Sequence, residues 1–306
     1  MSTFSVTTDT SNKDIPAGMT RHTAKQHYLS MHATPFVSKL PDVTIEDSCG
    51  RRIVRCDASG LGFKAIAAER LVASINKEVI VYCAPRAGHA AMAIAELARL
   101  YGKRAVFFAP ASLRASSHQL CTIALGAELR FVRIAAMPVL NYYAKRWAER
   151  HGAAFLPFGL ANTPDVTAGI VAFAEKLSQE YGEPEEFWCA TSTGTMIRGL
   201  QIGWPNARAK SVAVARNMHP GEIGCADVIS ADIPFLRQSR VLPPFPSTAA
   251  YDAKAWEPCL NEGSQGAWFI NVGCDRGIED IACRVDANTV NSFREWGDYS
   301  DLERGL

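Results

Sequence analysis

The chain has 306 residues, 48% of them hydrophobic, which is enough for one large domain or two smaller ones with buried cores. Charged residues make up 21% and the net charge is only +1, so no strong overall field that would attract nucleic acid is implied, although a local basic face could still exist. The nine cysteines are scattered and form no CxxC pair. This pattern is typical of reduced, buried thiols and lacks the spacing of a zinc site, so no metal is expected.

The first residues, MSTFSVTTDTSNKD, are polar and contain no apolar core of a signal peptide. No uninterrupted apolar stretch is long enough to cross a membrane. The sequence therefore predicts a cytoplasmic protein of a bacterium or a phage-infected host, with no membrane partner. Residues 1–30 are predicted to form a loose polar arm, and HATPFVSKLP after it to be extended by its prolines.

Strands and helices are predicted to alternate from residue 51 onward. The first half reads as strand RRIVRCD, helix 64–76, strand EVIVYCA, helix HAAMAIAELARLYG, strand KRAVFFAP, helix SLRASSHQLCTIALG, strand AELRFVRI and helix VLNYYAKRWAERHG. The second half reads as strand AAFLPF, helix DVTAGIVAFAEKLSQEYG, strand EFWCAT, helix MIRGLQIGW and strand SVAVAR. After about residue 217 the alternation weakens, and one late strand, AWFINVG, is predicted to close the sheet.

Alternation of this kind, with continuously apolar strands, predicts an α/β fold whose mostly parallel sheets are covered on both faces. Ligands of such sheets bind beyond the carboxyl ends of the strands. Three loops are predicted to lie there, SGLGFK (59–64), PRAGH (85–89) and TSTGT (191–195).

The TSTGT loop stands between a predicted strand and a predicted helix. Its backbone amides and hydroxyls could hold a phosphate at the helix N-terminus, with Gly194 allowing close approach. It could equally be an ordinary turn whose Ser or Thr caps the helix. It is not a Walker loop, because GxxxxGK[ST] is absent, and the first loop does not read GxGxxG.

Lys64 stands at the start of a predicted helix, where its charge opposes the positive end of the helix dipole. Such a lysine could be the amine of covalent catalysis, if partial burial lowers its pKa. It could also be an ordinary surface lysine. In the PRAGH loop, His89 could be a cap or packing residue, and Arg86 a solvated charge or a clamp for a carboxylate.

Four segments, in this order, resemble the fold-type II pyridoxal-phosphate (PLP) enzymes, the tryptophan synthase β superfamily. HATPFVSKLP resembles an early TPL…L segment, and RCDASGLGFKAI the strand, loop and lysine of the diaminopropionate ammonia-lyase type. The stretch from YCAPRAGH to ALGAELRFV resembles a strand, a Gly-Asn-His loop and the helix and strand after it. TSTGTMIRGL resembles the glycine-rich phosphate loop. The likeness covers about residues 32–216.

The resemblance assigns roles position by position. Lys64 matches the lysine that attaches the cofactor, and His89 the histidine of the Gly-Asn-His loop. The family's asparagine, which contacts the cofactor's ring hydroxyl, is replaced by Gly88. The positions that match the phosphate cradle are Ser192, Thr193, Gly194 and Thr195. The positions expected to face the substrate are Ser59, Arg86 and Ala87. The candidates for the partner of the pyridine nitrogen are Cys274 and, after it, Asn271 and Thr248.

The resemblance also implies an architecture. It implies two open α/β domains with the cofactor in the cleft between them, a large PLP-binding domain of 1–62 and 156–306 and a small domain of 63–155. It further implies a homodimer with one site in each subunit.

The favoured functional hypothesis is a PLP-dependent lyase acting at Cα of an amino-acid group. The altered PRAGH loop, and a likeness of the segment after residue 243 to small PLP-dependent proteins of bacteria and phages, favour decarboxylation. The substrate would then be an amino acid attached to a hypermodified thymine in phage DNA. The alternatives are ammonia release by β-elimination from a small free amino acid, and a non-catalytic PLP-binding scaffold. A dinucleotide-binding oxidoreductase is disfavoured because GxGxxG is absent.

Overall fold

The protein is described by a computed structural model, which covers residues 12–59, 62–111, 115–132, 136–160, 163–219, 221–275 and 277–286. The chain divides into two compact units, one of Met1–Ala67 and Ala161–Cys274 and one of Ala68–Leu160 and Asp275–Leu306. The segment that follows Cys274 thus groups with the second unit, whereas the sequence had assigned it to the large domain.

Ten strands and nine helices are present in the described residues. The strands are β1 (Thr44–Ser48), β2 (Arg51–Arg55), β3 (Val79–Cys83), β4 (Arg104–Pro110), β5 (Glu128–Val132), β6 (Ala154–Phe155), β7 (Glu186–Thr191), β8 (Arg208–Ala213), β9 (Asp227–Ser230) and β10 (Trp268–Asn271). The helices are α1 (Arg21–Met31), α2 (Phe63–Ser74), α3 (Ala90–Leu100), α4 (Ser117–Ala124), α5 (Met137–Arg150), α6 (Pro164–Tyr181), α7 (Thr195–Gly203), α8 (Ala253–Glu262) and α9 (Ile278–Ala282). None of these helices is both long and apolar enough to span a membrane.

The first unit contains a six-stranded sheet in the order β1-β2-β10-β7-β8-β9. Only β1 pairs antiparallel, with β2; the other neighbours are parallel. The late strand β10 was predicted to close the sheet, but it lies inside the sheet between β2 and β7. The pairing of a strand from the end of the chain with one from its beginning brings their carboxyl ends to the same edge of the sheet.

Aromatic residues cover both faces of this sheet, because successive side chains of a strand point to opposite faces. Trp188 belongs to a cluster in which Trp256 of α8 meets Phe269 edge to face at 5.2 Å. The neighbouring Phe187 meets Trp204, at the end of α7, at 5.2 Å. The prediction of a sheet buried on both faces is confirmed here.

Residues 1–30 were predicted to be a loose polar arm, and for residues 21–30 this prediction is wrong. These residues belong to α1, whose first turn is closed by a capping box between Thr20 and Thr23. Ala24 and Tyr28 are buried against α6 and α7, and the Tyr28 hydroxyl donates to the Asp14 carbonyl at 2.6 Å. Two buried residues one turn apart, Ala24 and Tyr28, therefore bind this helix to the core despite its polar composition.

The second unit contains a four-stranded parallel sheet in the order β5-β4-β3-β6. Apolar side chains of β3 and β4 pack against Leu140, Ala144 and Trp147 of α5. Seven of the eight residues of α3 from Ala91 to Ala98 are buried, which agrees with its alanine-rich sequence. Two mostly parallel α/β sheets are therefore present, as the sequence predicted.

Helices α6 and α7 pack closely because two glycines one turn apart on α7 lack side chains. A Cβ atom added at Gly199 would lie 2.7 Å from Cγ2 of Ile170, and one at Gly203 would lie 2.4 Å from Cβ of Ala174. Both separations are too short for two carbon atoms, so the packing of α7 against α6 depends on these glycines.

Gly203→Ala should lower the free energy of unfolding by about 1–2 kcal/mol, because overpacking costs about 1–3 kcal/mol and helix propensity returns at most about 1. Ala174→Gly removes the opposing methyl group, so the double variant should be more stable than the sum of the two single changes. Urea denaturation of all four proteins measures this coupling. Strictly additive changes would contradict the proposed contact.

Candidate active site

Lys64 is the second residue of α2, and the backbone before it is held against the end of β10. The Phe63 amide donates to the Val272 carbonyl at 2.8 Å. Gly62 has φ +78°, and a Cβ there would lie 2.3 Å from the same carbonyl oxygen, so only glycine fits. The Phe63 ring is buried and meets Phe173 edge to face at 5.4 Å. These contacts fix the direction in which α2 starts and so position Lys64.

The Lys64 ammonium lies in an environment that disfavours its charge. The side chain is partly buried. Burial, followed by repulsion from the Arg198 guanidinium, lowers the pKa of Lys64 to about 8. An ordinary lysine has a pKa near 10.4, so Lys64 has a much larger neutral fraction at neutral pH and can act as a nucleophile or base.

The loop at 192–195 joins β7 to α7 and contains no capping side chain for the helix. Gly194 occupies the N-cap position in the left-handed conformation, with φ 75°, and makes no side-chain cap. A Cβ at Gly194 would lie 1.7 Å from the Glu222 carbonyl oxygen. The sequence had allowed either a phosphate site or an ordinary turn whose Ser or Thr caps the helix, and the geometry shows no such cap. The uncapped amides leave the positive end of α7 available to an anion.

A buried arginine that sequence reasoning missed lies beneath this loop. Arg198 is fully buried and its Nε donates to Asp14 Oδ2 at 2.8 Å. Its Nη1 donates to the carbonyls of Thr193, at 3.2 Å, and Glu222, at 2.6 Å. Its Nη2 has no hydrogen-bond partner among the described residues. The guanidinium thus holds the loop from below and carries a positive charge next to it.

A polar cluster occupies the same unit, at the start of α8 and the end of β10; it consists of Ser247, Thr248, Asp252 and Asn271. In each of these side chains one buried oxygen lacks a hydrogen-bond partner within the described part of the chain. Unpaired buried polar atoms are costly, so these oxygens suit a polar ligand group. Two of the candidates for the pyridine partner, Thr248 and Asn271, lie in this cluster.

Asp252 and Ser247 are the members of the polar cluster that the sequence did not single out, and Asp252 is the ionisable one. It reads as an N-cap of α8, but its side chain makes no cap; instead Oδ2 accepts from the Gly273 amide at 3.2 Å. Complete burial raises the pKa of this carboxyl well above its usual range. The adjacent Tyr251 donates from its hydroxyl to Ser192 Oγ at 3.4 Å, which links the polar cluster to the 192–195 loop.

For the remaining candidate residues of this unit, the structure gives less information about a role in the site. Cys274 is partly buried and directly follows Gly273. Ser59 ends a short 3₁₀ turn, Cys56–Ser59, and its side chain lies outside the described residues. Lys254, a second lysine of this unit, has its Nζ within 2.8–3.3 Å of the carbonyls of residues 233–235, so it is held as a structural ammonium.

The PRAGH loop belongs to the second unit. Arg86 is exposed, and its carbonyl accepts from the Ser116 hydroxyl at 2.5 Å. Gly88 has φ +117°, and a Cβ there would meet nothing within 4 Å. His89 precedes α3 without capping it, and its ring meets that of His118 edge to face at 5.6 Å. Burial, followed by the His89 charge, lowers the pKa of His118, whereas Asp275 opposes this effect.

Solved structures with a similar fold were found by comparison of the whole chain. An ACC deaminase homologue aligns with TM-score 0.69 and 18% identity, covering 81% of this chain and 94% of that one. Maize serine racemase aligns with TM-score 0.60 and 17% identity, covering 92% and 98%. Apo diaminopropionate ammonia lyase of Escherichia coli aligns with TM-score 0.56 and 12% identity, covering 96% of both chains. No protein-family model matches the chain, and neither does any curated protein sequence.

The chain therefore has the fold of the fold-type II PLP enzymes, which confirms the fold class that was predicted from the sequence.

In the cofactor-free protein, the reactivity of Lys64 toward an amine-acylating reagent should rise with pH around a midpoint near 8. Because the pKa of Lys64 is lowered, the neutral, reactive amine is present above pH 8 and lost below it. Competitive labelling followed by peptide mass spectrometry measures this, with the other lysine peptides of the same digest as references. If the Lys64 peptide follows an ordinary lysine midpoint near 10.4, the environment described above is wrong.

Proposed function

We propose that the protein is a PLP-dependent lyase that acts at Cα of an amino-acid substrate. The observation that carries the proposal is that Lys64, with its lowered pKa, lies in the same unit as the uncapped 192–195 loop and its buried Arg198. An amine and an anion site on one scaffold are what a phosphorylated aldehyde cofactor requires.

The residues present fit the two polar ends of PLP. The amides of 192–195 and the hydroxyls of Ser192, Thr193 and Thr195 would hold the phosphate, with Arg198 supplying positive charge from below. The polar cluster offers unpaired oxygens for the pyridine nitrogen, and Asp252 adds a carboxyl to the candidates Thr248, Asn271 and Cys274. Contacts from Gly88 and His89 to the cofactor ring remain predictions from the resemblance.

When bound, PLP supplies an aldehyde that condenses with amines and a ring that accepts the electron pair of the bond broken at Cα. Lys64 Nζ would attach the cofactor in the resting protein. Once released by the substrate amine, the neutral amine would take the proton from Cα or return it. The buried Phe63 and the close approach of Gly62 to the Val272 carbonyl hold the backbone before Lys64 in place, so the position of this amine is fixed by a rigid backbone.

Release of ammonia is the reaction that the comparisons favour. Solved structures of similar fold include a threonine deaminase of tomato, Solanum lycopersicum, and an ammonia lyase. Decarboxylation was the favoured hypothesis from sequence, on the ground that Arg86 and Gly88 alter the carboxylate loop. Arg86 is exposed in its unit, so its guanidinium offers no buried anchor that favours loss of carbon dioxide, and no comparison favours that reaction. A substrate carried on DNA and a homodimer remain predictions, as do substrate contacts from Ser59, Arg86 and Ala87.

The purified protein reconstituted with PLP should absorb in the visible range, and borohydride reduction should leave a cofactor-modified peptide that contains Lys64. Lys64→Arg keeps the positive charge but cannot form the linkage, so it should bind PLP without becoming modified. Both proteins are compared by peptide mass spectrometry. Modification of Lys254 instead of Lys64 would overturn the assignment.

The same two proteins decide the reaction class. Wild-type protein should release ammonia and a keto acid from a free amino acid among serine, threonine and diaminopropionate, and Lys64→Arg should not. Release of carbon dioxide, from free amino acids or from aminoacylated thymidine in DNA, would contradict the proposed ammonia release and support the decarboxylase hypothesis. No turnover by unreduced wild-type protein, when borohydride reduction of a separate aliquot shows that its Lys64 holds PLP, would favour the scaffold.

The 192–195 loop should discriminate PLP from pyridoxal, which lacks the phosphate. Loss of one hydrogen bond to a charged group costs about 1.5–3 kcal/mol, so Ser192→Ala and Thr193→Val should each weaken PLP binding about tenfold or more while leaving pyridoxal binding unchanged. Tyr251→Phe is the matched control, because it removes the hydroxyl that contacts Ser192 without changing the loop itself. Equal weakening of both ligands would show that the loop has no phosphate role.

A further inference from the structure

A cluster of metal-ligand side chains lies in the second unit. His89, His118 and Asp275 each offer one ligand atom, and these atoms all lie within 4.8 Å of one another. The residues come from three separate places in the sequence, so no spacing motif in the sequence predicts this cluster. The imidazole rings of the two histidines already face each other edge to face at 5.6 Å.

The backbone around the cluster holds its three members in place. His89 directly precedes α3, and His118 is in the first turn of α4. The Ser116 hydroxyl donates to the Arg86 carbonyl, which ties the start of α4 to the PRAGH loop. The Ile278 amide, at the start of α9, donates a hydrogen bond to the Asp275 carbonyl. Helix α9 in turn packs against α4. The three side chains therefore converge because their helices are packed together.

We propose that His89, His118 and Asp275 form a binding site for a divalent transition metal of the Zn²⁺ type. Two imidazoles and one carboxylate are ligands that zinc accepts, whereas Mg²⁺ and Ca²⁺ prefer oxygen ligands alone. With zinc bonds of about 2.0–2.1 Å, neighbouring ligand atoms would lie roughly 3.3 Å apart. Small side-chain rotations close the remaining gap.

Three protein ligands leave one position of a tetrahedral zinc ion for water or an exchangeable anion. Imidazole ligands bind the metal as neutral rings, so metal affinity should fall as the pH drops below the histidine range. The test concerns metal binding alone and is done without PLP. Zinc binding by His89 and the contact of His89 with the cofactor ring, which the resemblance implies, are alternative roles for this imidazole.

The test uses the full chain without a histidine tag, since a tag binds the same metals. Zn²⁺ titration against a chromophoric chelator should show one site per chain in the wild type. His118→Ala and Asp275→Ala should each lower the affinity at least about tenfold, because even indirect ligand partners contribute 10–100-fold. His22→Ala, which removes an exposed histidine of α1, should bind as the wild type does.

Circular dichroism of each variant without metal verifies folding, and the two independent ligand variants guard against a failure of one of them to fold. Zinc should also raise the melting temperature of the wild type but not of His118→Ala. Wild-type affinity in both ligand variants would overturn the proposal. So would loss of zinc binding on alkylation of the exposed Cys49, Cys225 and Cys283, because the ion would then be held by surface thiols.

Discussion

The arrangement of the first unit depends on the buried guanidinium of Arg198. A buried charge is tolerated only when it is paired and hydrogen-bonded, and Arg198 meets this condition through Asp14 and the carbonyls of Thr193 and Glu222. These partners come from the N-terminal segment, the 192–195 loop and the loop before β9. One side chain thereby joins three distant segments and also contributes to the lowered pKa of Lys64.

This interaction also explains why the N-terminal segment is part of the fold. Asp14 pairs with Arg198, its carbonyl accepts from Tyr28, and Asn12 donates to the Arg198 carbonyl at 3.0 Å. The composition of the segment is polar, so hydrophobic periodicity gave no helix signal and indicated a loose arm. The alternation of strands and helices between residues 51 and 213, in contrast, was readable because both sheets are buried on two faces and their strands are continuously apolar.

The site was predictable where its chemistry is local in sequence. Lys64 and the 192–195 loop each belong to a strand, a glycine turn and a helix start, and such a pattern can be read along the chain. Arg198, Asp252 and the pair of His118 with Asp275 could not be read in this way, because their roles arise from tertiary contacts. Asp252 reads as a helix cap and His118 as one polar residue of an amphipathic helix until their neighbours in space are known.

The first unit combines two opposite electrostatic environments. Around the 192–195 loop, Arg198 and the uncapped end of α7 are positive, so they favour an anion and disfavour the ammonium form of Lys64. A bound phosphate would partly neutralise this region and so raise the pKa of Lys64 again, which links anion binding to the protonation of the amine. In the polar cluster, burial raises the pKa of Asp252 well above its usual range, and a nearby cation would lower it again. A ligand with an anion at one end and a basic nitrogen at the other matches both environments, and this complementarity is a stronger argument for PLP than any single residue.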